Sequence, residues 1–367
     1  SQVRYSDRLA LRGEKPTLIQ STFLPLAYVI SVAPNPTIAG PHITGFSPVM
    51  SAISLQSSCP SAQRFALSTD ARKASTLPSF AFVLISAICD PLLPQIVANK
   101  CRGGQAVQVF SDNPLFEMFA QRSLIRVRGG GVEVGEIMTA IGTIADGGTD
   151  AWVSTFTDLA ARVSTQGETS AAAGHRVSAR DSYLRASTYF DLAYWPIYGS
   201  PVDPRLTAAA ARADEAFAKA MELVDHYAQS MEIEVEGLAM PAWFLAPDSS
   251  GTARRTIIHT NGYDSNVHEM YFAHALAALE RGWNVVLFDG PGQGRCLIRD
   301  GASLRPDWET VVGPVLDATA AREDVIEGSI VLAGWSLGGF LAPRAAATHA
   351  DRLAALVDAA RARKGRA

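Results

Sequence analysis

The strongest chemical signal in the chain is a Gly-x-Ser-x-Gly run, Gly334-Trp335-Ser336-Leu337-Gly338, set within "SIVLAGWSLGGFLA". Alone the pattern is weak. Its setting strengthens it, because an apolar strand-like run precedes it and a helical pattern begins at Leu337, the strand–turn–helix context in which a serine can be presented as a nucleophile. The glycines permit close backbone approach and hold the serine in a sparsely populated conformation. The chemistry would be attack by the Ser336 hydroxyl on a carbonyl carbon. Such attack develops an oxyanion, which needs two backbone N–H donors. Leu337, at the start of a helix whose N-terminus favours negative charge, is the first expected donor. The second is sought in "HTNGYDS" (259–265), after a short apolar strand. There Gly262 permits a bend, the Tyr263 N–H is the expected donor, and Asp264 would brace the loop through local backbone hydrogen bonds. The plainer alternative is a glycine-rich turn with an incidental serine.

The elements that must position these residues follow from periodicity. From about Asn113, "PLFEMFAQRSLI", "EVGEIMTAIGTIA", "DAWVSTFTDLAARV" and "AAAGHRVSARDSYLRASTYFDLAYW" repeat apolar residues at helical spacing. A turn over 196–204 leads into an Ala-rich helix expected from Pro204 to Ser230. Beyond Met231 the pattern becomes strand, helix, strand: "MEIEVEGLAM" paired with "PAWFLAP", then "TIIHT", a helix over about 267–281, "NVVLFD", "GPGQG", a helix over about 307–323, "SIVLAG", a helix over about 337–349, and "LAALVD". Alternating strands and helices with apolar strand cores predict an α/β fold whose mostly parallel sheet is covered on both faces.

Hydrophobic residues make up 48% of the 367 residues and charged residues 19%, as a globular core requires. A net charge of −4 gives no overall attraction to nucleic acid or to an anionic membrane. The four cysteines, Cys59, Cys89, Cys101 and Cys296, lack metal or disulfide spacing, so a cytoplasmic protein without metal or cofactor is expected. The first part of the chain, residues 1–108, is rich in Ser and Pro and poor in acids. Its apolar runs "TFLPLAYVISVAP" and "SFAFVLISAIC" fall short of a membrane span. No helical or strand periodicity runs through it, and an irregular, poorly ordered extension is expected. Three regions result: this extension, a helical region over 109–230, and a sheet-bearing region over 231–367.

Other motifs are weaker. "DGPGQG" is not a dinucleotide fingerprint, and Asp289 with Gly290 to Gly294 is expected to shape the loop after its strand. "HEMYFAH" lacks zinc-protease spacing, so His268 and His274 read as surface and helix residues. His259, at a strand end, either orients the neighbouring loop or is a satisfied structural histidine. Arg180, Tyr183, Tyr194 and Trp195 would pack in the core or line a pocket.

The runs "IIHTNGYDSNVHEMY", "VLFDGPGQGRC" and "LAGWSLGGFLAPRAAA", preceded by "SARDSYLRASTYFDLAYWPIYGSPVDPRL", resemble the α/β-hydrolases with an N-terminal helical cap, over about residues 110–358. Among these are 2,6-dihydroxypseudooxynicotine hydrolase, fungal polyketide-shortening hydrolases and fermentation–respiration switch-like proteins. The resemblance implies a serine nucleophile, no metal, and a small-molecule substrate held between cap and core, with cleavage of an ester or of a carbon–carbon bond next to a carbonyl. In this fold the acid and then the histidine follow the nucleophile in chain order. Only 31 residues follow Ser336, and His349, about thirteen residues down a helix, would lie nearly 20 Å away. The chain is therefore expected to be truncated at its C-terminus, its core incomplete, with little turnover of its own. Two functional classes follow: a serine hydrolase represented by an incomplete chain, or a catalytically inactive remnant with at most a binding role. A homodimer is left open.

Overall fold

The structure, a computed structural model, describes residues 29–32, 109–144, 148–199 and 201–359. A helical layer comes first. Helix α1 (Pro114–Ser123) starts where the Asn113 side chain accepts from the Leu115 and Phe116 amides, with a proline in the first turn. Helices α2 (Val134–Thr143), α3 (Thr149–Ala172), α4 (Arg176–Tyr194) and α5 (Pro204–Met221) follow. Their apolar faces meet around Phe116, Phe119, Trp152, Phe156, Tyr189 and Trp195. Trp152 is fully buried and its indole N–H donates to the Leu192 carbonyl at 2.7 Å, so its one polar group is satisfied.

The Ala-rich helix ends at Met221, earlier than its composition suggests, and strand β2 (Tyr227–Val235) begins within the stretch expected to be helical. A short run such as "HYAQS" fits either period; pairing of β2 along its whole length with β3 (Leu238–Ala246) decides it. The hairpin turns at Glu236 and Gly237, both at positive φ (51° and 88°), so "MEIEVEGLAM" is two strands' ends and a turn.

Strands β4 (Arg254–Thr260), β5 (Asn284–Phe288), β6 (Val325–Trp335) and β7 (Ala355–Ala359) form the parallel centre of the sheet. With β1 (Val29–Val32), the spatial order is β1-β7-β6-β4-β5-β3-β2. β1 lies inside the stretch expected to lack strand structure. It pairs antiparallel with β7, Val29 opposite Asp358 and Val32 opposite Ala355. Edge pairing uses backbone groups and asks only for a short β-branched run, which no alternating pattern announces. The remainder of residues 1–108 lies outside the described residues.

Between β4 and β5, α6 opens as an α-helix over Val267–Met270, widens to a π-helix over Tyr271–Ala275 and closes over Leu276–Leu279. Helices α7 (Gly294–Ile298) and α8 (Trp308–Ala320) precede β6, and α9 (Gly338–Thr348) follows it. Successive strand residues face opposite layers. Phe244, Ile258, Val286 and Leu332 pack against Trp308 and Val312 of α8 and Leu341 of α9. Leu245, Ile257, Val285 and Val331 pack against Met270 and Tyr271 of α6 and Phe217 of α5. Burial on both faces is why these strands read as unbroken apolar runs.

Candidate active site

β6 delivers the chain to Ser336, whose φ of +55° puts a non-glycine residue in the left-handed region. Leu337 is already right-handed helical and α9 begins at Gly338. A residue in this conformation costs on the order of 1–3 kcal/mol and persists only where its surroundings impose it. They do. A Cβ on Gly334 would collide with the carbonyl of Gly338, and one on Gly338 with the carbonyls of Thr260 and Asn261. The turn is thus pressed against the end of β4. A Cβ on Gly262 would lie 3.1 Å from the Ser336 Cβ and 3.3 Å from the Trp335 carbonyl oxygen, so the 261–266 loop lies directly beside the turn. Ser336 is exposed. Among the described residues, the N–H groups of Tyr263 and Leu337 donate to no backbone carbonyl.

The start of that loop is held by the segment after β5. The Gln293 amide donates to the carbonyls of Asn261 (2.7 Å) and Gly262 (3.2 Å), while its oxygen accepts from the Gly290 amide at 3.2 Å. The Asn261 side chain donates to Asp289 Oδ1 at 2.6 Å, which also accepts from the Val267 amide at 3.0 Å. Asp289 Oδ2 accepts from the Arg295 amide at 3.2 Å, and a Cβ on Gly294 would strike this carboxylate. Asp289 is buried, and burial pushes its carboxyl up to about 7, although the Arg295 and Val267 amides and His268 pull the other way. The expectation that Asp289 and Gly290 to Gly294 shape a loop describes their role well, but Gln293 was not singled out.

The end of the loop is held by the helical layer. Arg122 of α1 donates from Nε and Nη2 to the Glu269 carboxylate (2.7 and 2.5 Å) and from Nη1 to Asp264 at 2.6 Å. Its guanidinium lies 4.6 Å from the centroid of Trp195. Asp264 therefore braces the loop through an ion pair with a distant arginine rather than through local backbone bonds. Tyr198 donates its hydroxyl to the Tyr263 carbonyl at 3.2 Å, and the two rings meet edge-on at 5.7 Å. Tyr263 as a whole is 51% exposed.

Comparison with known proteins bears on this geometry. Residues 257–366 match the model of the alpha/beta hydrolase family. A solved structure, that of 2,6-dihydroxy-pseudo-oxynicotine hydrolase, superposes with a TM-score of 0.54 at 27% identity, covering 63% of this chain and 62% of that one. The chain has the α/β-hydrolase fold. It is 36% identical over 268 residues to hydrolase acrC of Aspergillus aculeatus, covering 68% of this chain and 63% of that protein. It is 37% identical over 224 residues to 20-hydroxy-prefusarin hydrolase of Gibberella moniliformis, covering 59% of this chain and 54% of that protein. The chain thus spans about 54–63% of the length of these curated relatives. Resemblance to named hydrolases supports an enzyme.

Around the Ser336 turn, His259, His268, His274 and His349 are engaged with other groups. His268 is not a surface residue: it is buried between Asp191 Oδ1 (3.3 Å) and Asp214 Oδ1 (3.1 Å). Burial opposes its charge, yet Asp191 and Asp214 push the imidazole up to about 10. Asp191 also takes Arg126 at 2.9 Å, the Tyr194 hydroxyl at 2.9 Å and the Asn266 amide at 2.9 Å. Despite burial, His268 and Arg126 hold that carboxyl down to about 2. Next to this network is a cavity of about 80 Å³, lined by Tyr194, Asp214, Asn266, His268, Asp289 and Arg295 among others. His259 stacks on His274 at 4.7 Å, and His274 meets Trp335 edge-on at 4.8 Å. Neither ring nitrogen of His259 has a hydrogen-bond partner, so it is buried against His274 of α6 and makes no bond to the loop. His349 Nε2 bonds the Glu309 carbonyl at 2.8 Å, towards α8. Tyr183 packs in the core, Arg180 pairs with Asp181 and Asp225, and Trp195 supports Arg122. Among the described residues, no group of three or more His, Cys, Asp or Glu could hold a metal ion, and no helix is long and apolar enough to cross a membrane.

Proposed function

We propose that the chain carries the nucleophile and oxyanion hole of a capped serine hydrolase, acting on an ester or on a carbon–carbon bond next to a carbonyl of a small molecule. Residues 109–230 would be the cap and residues 231–367 the hydrolase core, in a cytoplasmic protein. One observation carries the reading: Ser336, at φ +55° between a central strand and a helix, on a turn whose flanking glycines admit no Cβ. Ser336 Oγ would attack the carbonyl carbon. The oxyanion would be received by the Leu337 and Tyr263 amides, which donate to no backbone carbonyl. Collapse of the tetrahedral species breaks the bond to the leaving group, which departs as the alcohol or carbon acid carrying the serine proton; water then cleaves the acyl ester, one of its protons returning to Ser336 Oγ as the acid is released. The relatives named for hydrolysis support this reaction class, and the 20-hydroxy-prefusarin hydrolase acts, by its name, on a small molecule.

A serine hydroxyl needs a base within roughly 3 Å to give up its proton. His226, His259, His268, His274 and His349 are bonded or stacked elsewhere, which favours a second reading in which the chain as it stands binds without turning over. Oxyanion hole and binding alone leave residual acceleration of about 10³–10⁴ over water. The test is a fluorophosphonate probe together with an aryl ester, applied to the 367-residue chain and to Ser336→Ala. Slow labelling, supported by the residual acceleration and absent from Ser336→Ala, with ester turnover near background, is the expected result. Labelling retained by Ser336→Ala would remove Ser336 from the reaction.

A further inference from the structure

The loop that carries Tyr263 is anchored by two different parts of the protein. Up to Gly262 the side-chain bonds on it, among the described residues, come from the segment after β5: Gln293 on the carbonyls of Asn261 and Gly262, and Asp289 on the Asn261 amide. From Tyr263 to Asp264 the bonds come from the helical layer: Tyr198 on the Tyr263 carbonyl and Arg122 on the Asp264 carboxylate. The Tyr263 N–H sits at the changeover. Its peptide is fixed on one side through the Gly262 carbonyl by the core and on the other through the residue's own carbonyl by the helices.

Arg122 is built as an adaptor. Its Nε and Nη2 are taken by Glu269, which is 1% exposed, so the guanidinium plane is set by α6. Trp195 supports one face of that plane. Only Nη1 is left to reach Asp264, and the rigid fork fixes where it points. The tyrosine hydroxyl adds a second, neutral tether one residue earlier.

We propose that Arg122 and Tyr198 are positioning residues for the Tyr263 amide, so that the second oxyanion donor is in place only while the helical layer is seated on the sheet. This rests on the reading of Ser336 and Tyr263 given above. Assembly of the oxyanion hole is then coupled to the seating of the helices: a displacement that broke these two tethers would leave the serine turn intact and its oxyanion hole half made.

The test uses the whole chain, with Tyr198→Phe, which removes one hydroxyl, and Arg122→Lys, which keeps the charge but cannot hold three oxygens. Two measurements are made. The first is the tyrosine-amide spectrum of protein labelled with ¹⁵N-tyrosine. The Tyr263 resonance should move or broaden in both variants, while tyrosines remote from the loop, such as Tyr227, keep their positions. The second is inactivation by a fluorophosphonate. Loss of a whole oxyanion donor costs about 10²–10³ in rate, so a misplaced one should lower the maximal inactivation rate by about tenfold. The half-saturating probe concentration and the melting temperature of Tyr198→Phe should be unchanged, a split that mere destabilisation would not produce. An unmoved Tyr263 resonance in both variants overturns the proposal, as does an unaltered maximal rate in a chain that labels at Ser336. If the parent chain does not label at Ser336, the functional reading fails instead, and the amide spectrum alone decides the positioning.

Discussion

Replacing His274 by phenylalanine should make the protein more resistant to acid, and the size of the gain can be worked out. His274 is half-buried within the π-helical segment, stacked on His259 and edge-on to Trp335, and its buried Nε2 has no hydrogen-bond partner. Burial lowers its pKa from 6.5 to about 4, against a weaker upward pull from Glu269. An imidazole with a depressed folded-state pKa binds protons better when the chain is unfolded. Its neutral form is therefore tolerated above pH 6.5, and stability is lost as pH falls from there towards 4. Between pH 7 and pH 5 this one residue should cost about 2 kcal/mol. A phenyl ring keeps the stacking geometry and cannot be protonated. It also removes an unpaired buried nitrogen, itself a burden of about 1–3 kcal/mol. Other groups titrate too: Asp289, with its raised pKa, works with the opposite sign over part of this range. They are common to both proteins and cancel in the difference, apart from His259, whose pKa is lowered by burial and by the neighbouring His274. The assay is urea unfolding of parent and His274→Phe at pH 7 and pH 5. The stability difference should widen in favour of the variant by about 2 kcal/mol at the lower pH. An equal difference at both pH values would refute the assignment of His274 as a neutral imidazole screened from water.

Ser336→Gly should stabilise the chain by about 1 kcal/mol in the same assay, because glycine occupies positive φ without strain. Gly338→Ala should do the reverse, lowering the melting temperature and abolishing probe labelling, since its methyl group would meet the Thr260 and Asn261 carbonyls. Asp191→Ala should cost about 3–5 kcal/mol, leaving Arg126 and His268 buried with diminished compensation, and NMR titration should show the His268 pKa falling from about 10.

What the sequence made legible was local. Strands buried on both faces appear as apolar runs such as "TIIHT" and "NVVLF", and the turn at Ser336 appears because its glycines, strand and helix are contiguous. Gly262 could be placed beside it because a strand end and a bend are also short-range features. What remained hidden joins residues far apart in the chain: Gln293 to Asn261, Tyr198 to Tyr263, Arg122 to Asp264 and Glu269. No periodicity signals such a bond. His268 was misplaced on the surface for the same reason, since a histidine can be buried with charge only when carboxylates arrive from other elements, here α4 and α5. The Ala-rich helix ran too long in the reading because Tyr227 and Ala228 suit either period, and only the hairpin partner settles them.

The seam of Arg126, Asp191, Asp214 and His268 also limits how this architecture can be recombined. The first three belong to the helical part of the chain and the last to the strand-and-helix part, and each charge is tolerable in its surroundings because the others are present. A helical region transplanted onto a related sheet must therefore bring a matched set of charges or meet an uncharged residue at the position of His268. Chimeras that divide the set would strand an ion in a dry interface, whatever the quality of their apolar packing. In outline the two parts resemble exchangeable modules, but their charges at this seam form one electrostatic unit.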